Sequence, residues 1–371
     1  MINRVFIDNY KCCVNFECLP QPLQLLIGDN GTGKTTLFDV LETLRDFVCL
    51  GTDSATAFPT SSLTAWDTRP DQTFELDVRG NGGIYTYGVV IEHDRAGLRN
   101  RIKSEGLKFD GKPLYEFDGN DAHLYRDDFS EGPVFPFDWS RSALSTIPER
   151  PDNQKLTWFR MRLGRVYVFA PDPLRMSARS EGELEQPDRS LHEIVSWLRH
   201  LTQESVDTVS QLRDSLRDGV IDGLDNMKLE KVSEATRALK FEFKFSGNGK
   251  GKKFNLSLDQ LSIGQRNLVA LFAILYAAIE RDSTVCIDEP DNYVALRELQ
   301  PWLTAVSDRV AEQDGQCLLI SHHPDLINYL AARHGLIFQR SEAGPVRVKP
   351  FAWAEGDFVL PSELLARGWE S

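Results

Sequence analysis

Residues 28–35 read Gly-Asp-Asn-Gly-Thr-Gly-Lys-Thr, the pattern G-x-x-x-x-G-K-[ST]. Each part of that pattern suits a bound phosphate. Glycines let the backbone wrap it closely with N–H groups turned inward, Lys34 reaches the β- and γ-phosphates, and the Thr35 hydroxyl is a ligand for Mg²⁺. A helix starting here adds favourable electrostatics for an anion. The expected nucleotide contacts are Asn30, Gly31, Gly33, Lys34, Thr35 and Thr36.

A second element is the apolar run Val285-Cys286-Ile287, tipped by Asp288 and Glu289. Asp288 would sit near Mg²⁺, and Glu289 would orient or deprotonate an attacking water. An acid pair after a strand is common and says little alone; the phosphate loop gives it meaning. Leu261-Ser262-Ile263-Gly264-Gln265 precedes an apolar helix. Ser262 there is a normal helix cap, but Ser-x-Gly-Gln at a helix start can also hold an anion. Ser321-His322-His323 follows another apolar run, Cys317 to Ile320, and His322 is placed to contact a γ-phosphate.

These residues need strands and helices to position them. Val5-Phe6-Ile7, Val14 to Cys18 and Leu23 to Ile27 read as strands, the last nearly all apolar, as a strand buried on both faces should be. Thr35 to Cys49 reads as a helix, with Leu37, Val40, Leu41, Leu44 and Val48 on one stripe. Thr73 to Val78, Tyr85 to Ile91, Gly97 to Ile102 and 107–109 predict an antiparallel β-rich lobe. Asn81-Gly82-Gly83 and Asp110-Gly111 are hairpin turns within it.

Residues 129–152 predict a surface loop, 165–169 a strand, and 180–188 an acidic linker. The apolar spacing over 191–218 predicts one long helix or a helical pair. Phe241, Phe243 and Phe245 alternate as a strand, as do Phe254, Leu256 and Leu258, with a Gly-rich hairpin turn at 247–251 between them. Lys250, Lys252 and Lys253 there form the densest basic cluster, a place where DNA could bind.

The chain has 371 residues and a net charge of −13, with 41% hydrophobic residues and 21 Phe to build a core. Dominant disorder is excluded on that composition, and so is a general nucleic-acid coat. The longest apolar stretch, Leu268 to Ile279, is too short for a membrane span of roughly 20 residues. The opening residues lack a secretory apolar core, and the six Cys show neither zinc nor disulfide spacing. Reduced thiols in a cytoplasmic protein with no membrane partner are therefore expected.

The order of these elements resembles the ABC-type ATPases. Walker A lies at 28–35, the signature LSIGQ at 261–265, Walker B at 286–289, a D-loop at Asp291-Asn292, and a switch His at 322. The opening Ile7-Asp8-Asn9-Tyr10-Lys11 resembles the RecF, SMC and OLD-type branch, whose N-[FY]-[KR] element puts a basic residue near the nucleotide; Lys11 is that residue here. The Asp-Glu-Pro-Asp-Asn and His-His-Pro-Asp runs are similar to stand-alone bacterial ATPases of the OLD-like group.

The resemblance implies an α/β P-loop NTPase fold, an ABC-type ATPase head with a β-rich lobe I at 1–126, an irregular insert at 127–190, and a helical lobe II at 191–371. It implies ATP and Mg²⁺ as cofactors, with Lys34, Glu289 and His322 catalytic and Thr35 and Asp288 on the metal. Ser262, Gly264 and Gln265 would close the site from a second copy, giving a homodimer or larger even assembly. Asp291 is the next acid should Glu289 not be the base.

The 191–218 helices are too short for an SMC coiled-coil arm, the 49 residues after His322 are too few for a Toprim domain, and no Q-loop Gln is assignable. A nucleotide switch for a separately encoded effector, as in anti-phage defence, is therefore the expected role. A RecF-like DNA-repair clamp and a slow nucleotide-gated binding module are the alternatives.

Overall fold

The computed structural model describes residues 1–245, 252–353 and 359–367. They form two compact units: Met1–Tyr167 with Asp282–Thr284 and Leu330–Ser371, and Val168–Arg281 with Val285–Tyr329.

The first unit opens with β1 (Ile2–Asp8), β2 (Phe16–Cys18) and β3 (Leu23–Ile27), then α1 (Lys34–Arg45) and a short α2 (Ser54–Ala57). A run of strands follows: β4 (Asp71–Gly80), β5 (Gly83–Asp94), β6 (Arg99–Phe109), β7 (Lys112–Phe117), β8 (Asp121–Tyr125) and β9 (Glu131–Pro136). They make an antiparallel sheet in the order β2-β1-β4-β5-β6-β7-β8-β9. Asn81 (φ 48°) with Gly82 (φ 84°), and Asp110 (φ 46°) with Gly111 (φ 78°), supply the two left-handed residues that tight hairpins need.

One face of this sheet is apolar. Phe74, Leu76, Val78, Tyr85, Tyr87, Val89 and Ile91 alternate along β4 and β5 and are buried. The helix α3 (Gln154–Gly164), which falls within the 127–190 insert expected to be irregular, lies on it: Trp158 stacks on Tyr85 at 4.9 Å, and Phe159 packs on Tyr87 at 5.7 Å. Within this core Glu105 is 3% exposed. Its carboxylate accepts from Ser142 Oγ (2.6 Å), Tyr87 OH (2.8 Å) and Tyr115 OH (2.9 Å). Burial nevertheless pushes the Glu105 carboxyl above its ordinary range, and the three donors pull the other way.

The second unit follows β10 (Val166–Phe169), in which the boundary falls. It continues with β11 (Arg179–Ser180), α4 (Ile194–Glu204), α5 (Val206–Ser215), β12 (Leu224–Lys231), β13 (Arg237–Phe245), β14 (Lys252–Ser257), α6 (Ile263–Ala278), β15 (Thr284–Asp288), α7 (Leu296–Gln313), β16 (Gln316–Ile320) and α8 (Pro324–His334). Strand β15 lies between β10 and β16, and its burial on both faces matches its unbroken apolar sequence. Helix α6 is buried from Asn267 through Leu275, and Trp302 of α7 donates its indole N–H to the Leu271 carbonyl at 2.8 Å. The chain returns to the first unit within α8, at Leu330, and continues with β17 (Gly335–Arg340), parallel to β3, β18 (Val346–Pro350), antiparallel to β17, and α9 (Pro361–Ala366).

Several expectations change. Of the two alternatives for 191–218, the helical pair is the one that forms, broken at Ser205, whose φ −146° and ψ 67° are not helical. Helix α1 stops at Arg45, and a π-helical turn at Asp46–Leu50 replaces its last turn, ended by left-handed Gly51. The two runs at 97–109 are one strand, β6. Residues 129–152 are not only loop, because β9 pairs with β8 and extends the sheet, despite prolines at 133 and 136. The hairpin turn at 247–251, with Lys250, lies outside the described residues. Lys253 is held by Asp225 (2.8 Å) and Glu242 (2.6 Å), and Lys244 also pairs with Asp225, whose carboxyl drops to about 2. Of the cluster, Lys253 is thus balanced locally.

Candidate functional site

In the first unit, the buried strand β3 ends at Ile27 and α1 begins at Lys34. The six residues between them form the phosphate-type loop. Gly28 (φ 138°), Gly31 (φ 78°) and Gly33 (φ 92°) occupy backbone conformations that other residues reach only with strain. A side chain at Gly28 would also collide with the Phe338 carbonyl of β17. Thr32 N and Oγ1 both donate to the Asp29 carbonyl, at 3.4 and 2.7 Å, which tightens the loop.

Lys34 is buried, and its ammonium reaches back over the loop to the carbonyls of Gly28 (2.7 Å) and Asp29 (2.8 Å). Asn30, Gly31 and Thr35 are exposed, and Gly33 and Thr36 half-buried. Left-handed glycines, a helix N-terminus and one lysine are a donor set for a phosphate chain. A hydroxyl such as that of Thr35 is a hard oxygen donor of the kind Mg²⁺ takes.

The N-[FY]-[KR] element forms two sharp bends, at Asn9 (φ 58°) and Lys11 (φ 49°). Asn9 is buried and donates to the carbonyls of Arg69 and Asp71, both at 2.9 Å. Lys11 projects beside α1, where its ammonium pairs with Asp39 at 2.9 Å.

In the second unit, β15 delivers Asp288 at its last position. Glu289 then takes a left-handed φ of 51°, so the chain leaves the strand line at that residue. Its amide still donates to Ile320 of β16 at 2.8 Å, and its carboxylate accepts from Asn292 Nδ2 at 2.7 Å. Ser321 and His322 follow β16 directly. His323 is tied back toward α8, with its amide on Ser321 Oγ at 3.0 Å and its ring near the Asp325 amide at 3.3 Å; His322 is the exposed one of the pair.

Ser262 starts α6 with a reciprocal cap: its hydroxyl accepts from Gln265 N, and Gln265 Oε1 accepts from Ser262 N, both at 3.1 Å. Gln265 is thereby occupied with the helix end. The Ser262 hydroxyl is exposed and, used here as acceptor, keeps a proton to donate. Gly264 packs so closely on the loop after Walker B that an added Cβ would lie 2.7 Å from the Tyr293 carbonyl.

Within this unit, signature and acid pair are brought together by residues that motif spacing does not reveal. Asn267, fully buried on α6, donates to the carbonyls of Pro290 (3.0 Å) and Asn292 (2.8 Å). Arg189, just past the stretch expected as an acidic linker, approaches Asp288 at 3.9 Å. In the first unit, Arg340 donates to the Gly31 carbonyl at 3.4 Å and lies over Trp66 at 5.2 Å. An Asn one turn into the signature helix is the only sequence signal for Asn267; Arg189 and Arg340 have none.

Residues 24–328 match the family described as "AAA domain, putative AbiEii toxin, Type IV TA system". None of the curated proteins matches the sequence. Among solved structures, an SMC head bound to the C-winged helix domain of ScpA aligns with a TM-score of 0.54 at 11% identity, over 94% of this chain and 97% of that one. An SMC head domain with an extended coiled coil, bound to the C-terminal domain of ScpA from Pyrococcus furiosus, aligns with a TM-score of 0.53 at 13% identity, over 94% and 95%. At such identities the likeness is one of fold: this is the P-loop α/β fold of the SMC-type ATPase head.

Proposed function

The chain belongs to that family of AAA domains, and on this premise we propose that it is a Mg²⁺-dependent ATPase acting as a nucleotide switch for a separately encoded effector. The observation that carries the reading is the loop of left-handed glycines joining a buried strand to the Lys34 helix. In this reading the triphosphate lies along Gly31, Gly33, Lys34, Thr35 and Thr36, with Asn30 and Lys11 beside it. Thr35 and Asp288 hold Mg²⁺. Glu289 takes a proton from, or aligns, the attacking water, and His322 contacts the γ-phosphate.

Ser262 and Gly264 would act on the nucleotide of a second copy, so that ATP joins two heads and hydrolysis releases them. Support for a defence setting comes from the toxin–antitoxin wording of the family description. The ScpA titles concern other proteins, but they are consistent with a head of this fold working through a second polypeptide.

Lys34→Ala tests the core of this. Removing the ammonium should weaken ATP binding by at least a hundredfold in calorimetry and abolish phosphate release. Wild-type ATP affinity in the variant would overturn the assignment of the loop.

A further inference from the structure

The hairpin between β1 and β2 carries a feature that phosphate chemistry leaves unused: the adjacent thiols Cys12 and Cys13. Its turn is closed by two bonds between Tyr10 and Cys13, at 3.0 and 2.7 Å, and the Cys12 carbonyl accepts from Val346 N at 3.0 Å. With its backbone fixed, Cys12 turns its side chain onto the phosphate loop. A Cβ added to Gly33 would lie 2.8 Å from Cys12 Sγ. Gly33 is the N-cap of α1, so the sulfur rests against the positive end of that helix.

Three more groups favour a thiolate at this place. The neighbouring Cys13 thiol, the Arg340 guanidinium and the Thr36 hydroxyl all favour the charged form of Cys12, against the opposing effect of burial. Arg340 is itself held by the carbonyls of Gly344 (2.6 Å), Ala343 (2.9 Å) and Gly31 (3.4 Å). Together they bring the Cys12 thiol down to about 6, while Cys13 is pushed up. Burial raises the Cys18 and Cys49 thiols to about 12 and Cys317 higher still.

We propose that Cys12 is a covalent modification site for low-molecular-weight disulfides, and that its adduct and a nucleotide exclude one another at the phosphate loop. The proposal rests on the nucleotide reading above. The Cys12 thiolate attacks one sulfur of a disulfide RSSR. A Cys12 S–SR bond forms, the S–S bond of RSSR breaks, and RS⁻ departs and takes a proton from water. The cysteine sulfur is oxidised and the departing sulfur reduced. The sulfur already touches the loop where Gly33 has no side chain, so an added R group must occupy the space over residues 33–36 or displace the loop. Either way the phosphate chain loses its seat. Conversely, a bound nucleotide covers a residue that is only 7% exposed to begin with.

The test uses the full chain and bis(2-hydroxyethyl) disulfide, a probe small enough for so enclosed a thiol. Peptide mapping by mass spectrometry should find the adduct first at Cys12, ahead of the half-buried Cys49, and ATP with Mg²⁺ should suppress it at least tenfold. The adduct should weaken ATP binding at least tenfold in calorimetry, and dithiothreitol should restore it. In Cys12→Ser the probe should no longer change ATP affinity, and Cys13→Ala should slow the reaction at Cys12 by removing the neighbouring thiol. The inference is overturned if Cys49 reacts first, if ATP gives no protection, or if the labelled protein binds ATP as the reduced protein does. Failure of the reduced protein to bind ATP at all would overturn the nucleotide reading, and this inference with it.

Discussion

Asn292 donates from Nδ2 to Glu289 Oε2 at 2.7 Å, while the Asn292 carbonyl is gripped by Asn267 at 2.8 Å. The carboxylate beyond β15 is thereby tied, through two side chains, to the helix that begins at Ser262. Glu289 needs such support: a left-handed backbone costs a non-glycine residue about 1 kcal/mol. Asn292→Ala should therefore leave ATP affinity unchanged but lower kcat by about tenfold, since a loosely aimed base loses alignment more than binding. Calorimetry and phosphate release measure the two separately. An unchanged kcat would mean that something else aims the carboxylate.

Glu289→Gln keeps the size and the Asn292 contact but removes the negative charge. ATP should bind normally and turn over slower by about 10²-fold or more. The ATP-bound protein should then accumulate as a dimer in size-exclusion chromatography with light scattering. Wild-type turnover would shift the role to Asp291, the next acid along the same loop.

Ser262→Arg places a bulky cation at the exposed cap of α6. If Ser262 serves the nucleotide of a second copy, the variant should bind ATP and fail to hydrolyse it. Mixed with Lys34→Ala protein it should regain part of the activity, because each heterodimer contains one site with both halves intact. Heterodimers that form yet stay inactive at every mixing ratio would point to a site built within one chain.

Glu105 gives the β-rich lobe a pH signature. Burial holds its carboxyl above the ordinary 4.5, so the native state binds a proton that the unfolded chain releases. That contribution to stability is fully present below about pH 4.5 and is lost as pH rises through the higher native value. Glu105→Gln cannot ionise. Its Tm between pH 4 and pH 8 should decline less, or rise more, than that of the wild type. Parallel Tm curves would show that folding does not shift the Glu105 carboxyl.

The residues proposed to touch a phosphate chain announce themselves in sequence because that chemistry demands fixed spacing. Gly28, Gly33 and Lys34 occupy the loop their pattern implies, and Asp288 and Glu289 sit where an apolar run says a strand must end. The hairpins at Asn81-Gly82 and Asp110-Gly111 were legible for a similar reason, since few residues accept two successive left-handed conformations. Helix α3 was not legible, because Trp158 and Phe159 pack on a sheet that exists only after distant strands pair. Strand β9 was hidden by its prolines. Asn267, Arg189 and Arg340 stayed silent because each works on carbonyls or a carboxylate brought near by folding, and no local pattern encodes such a meeting.

Strand β9 ends the eight-stranded sheet, and two of its six residues, Pro133 and Pro136, have no N–H to offer. A further strand laid against that border would find gaps in its ladder where donors should be. That edge of the sheet is thereby a poor template for a strand of a second copy. The prolines that disguise the strand in sequence are what keep it last in line.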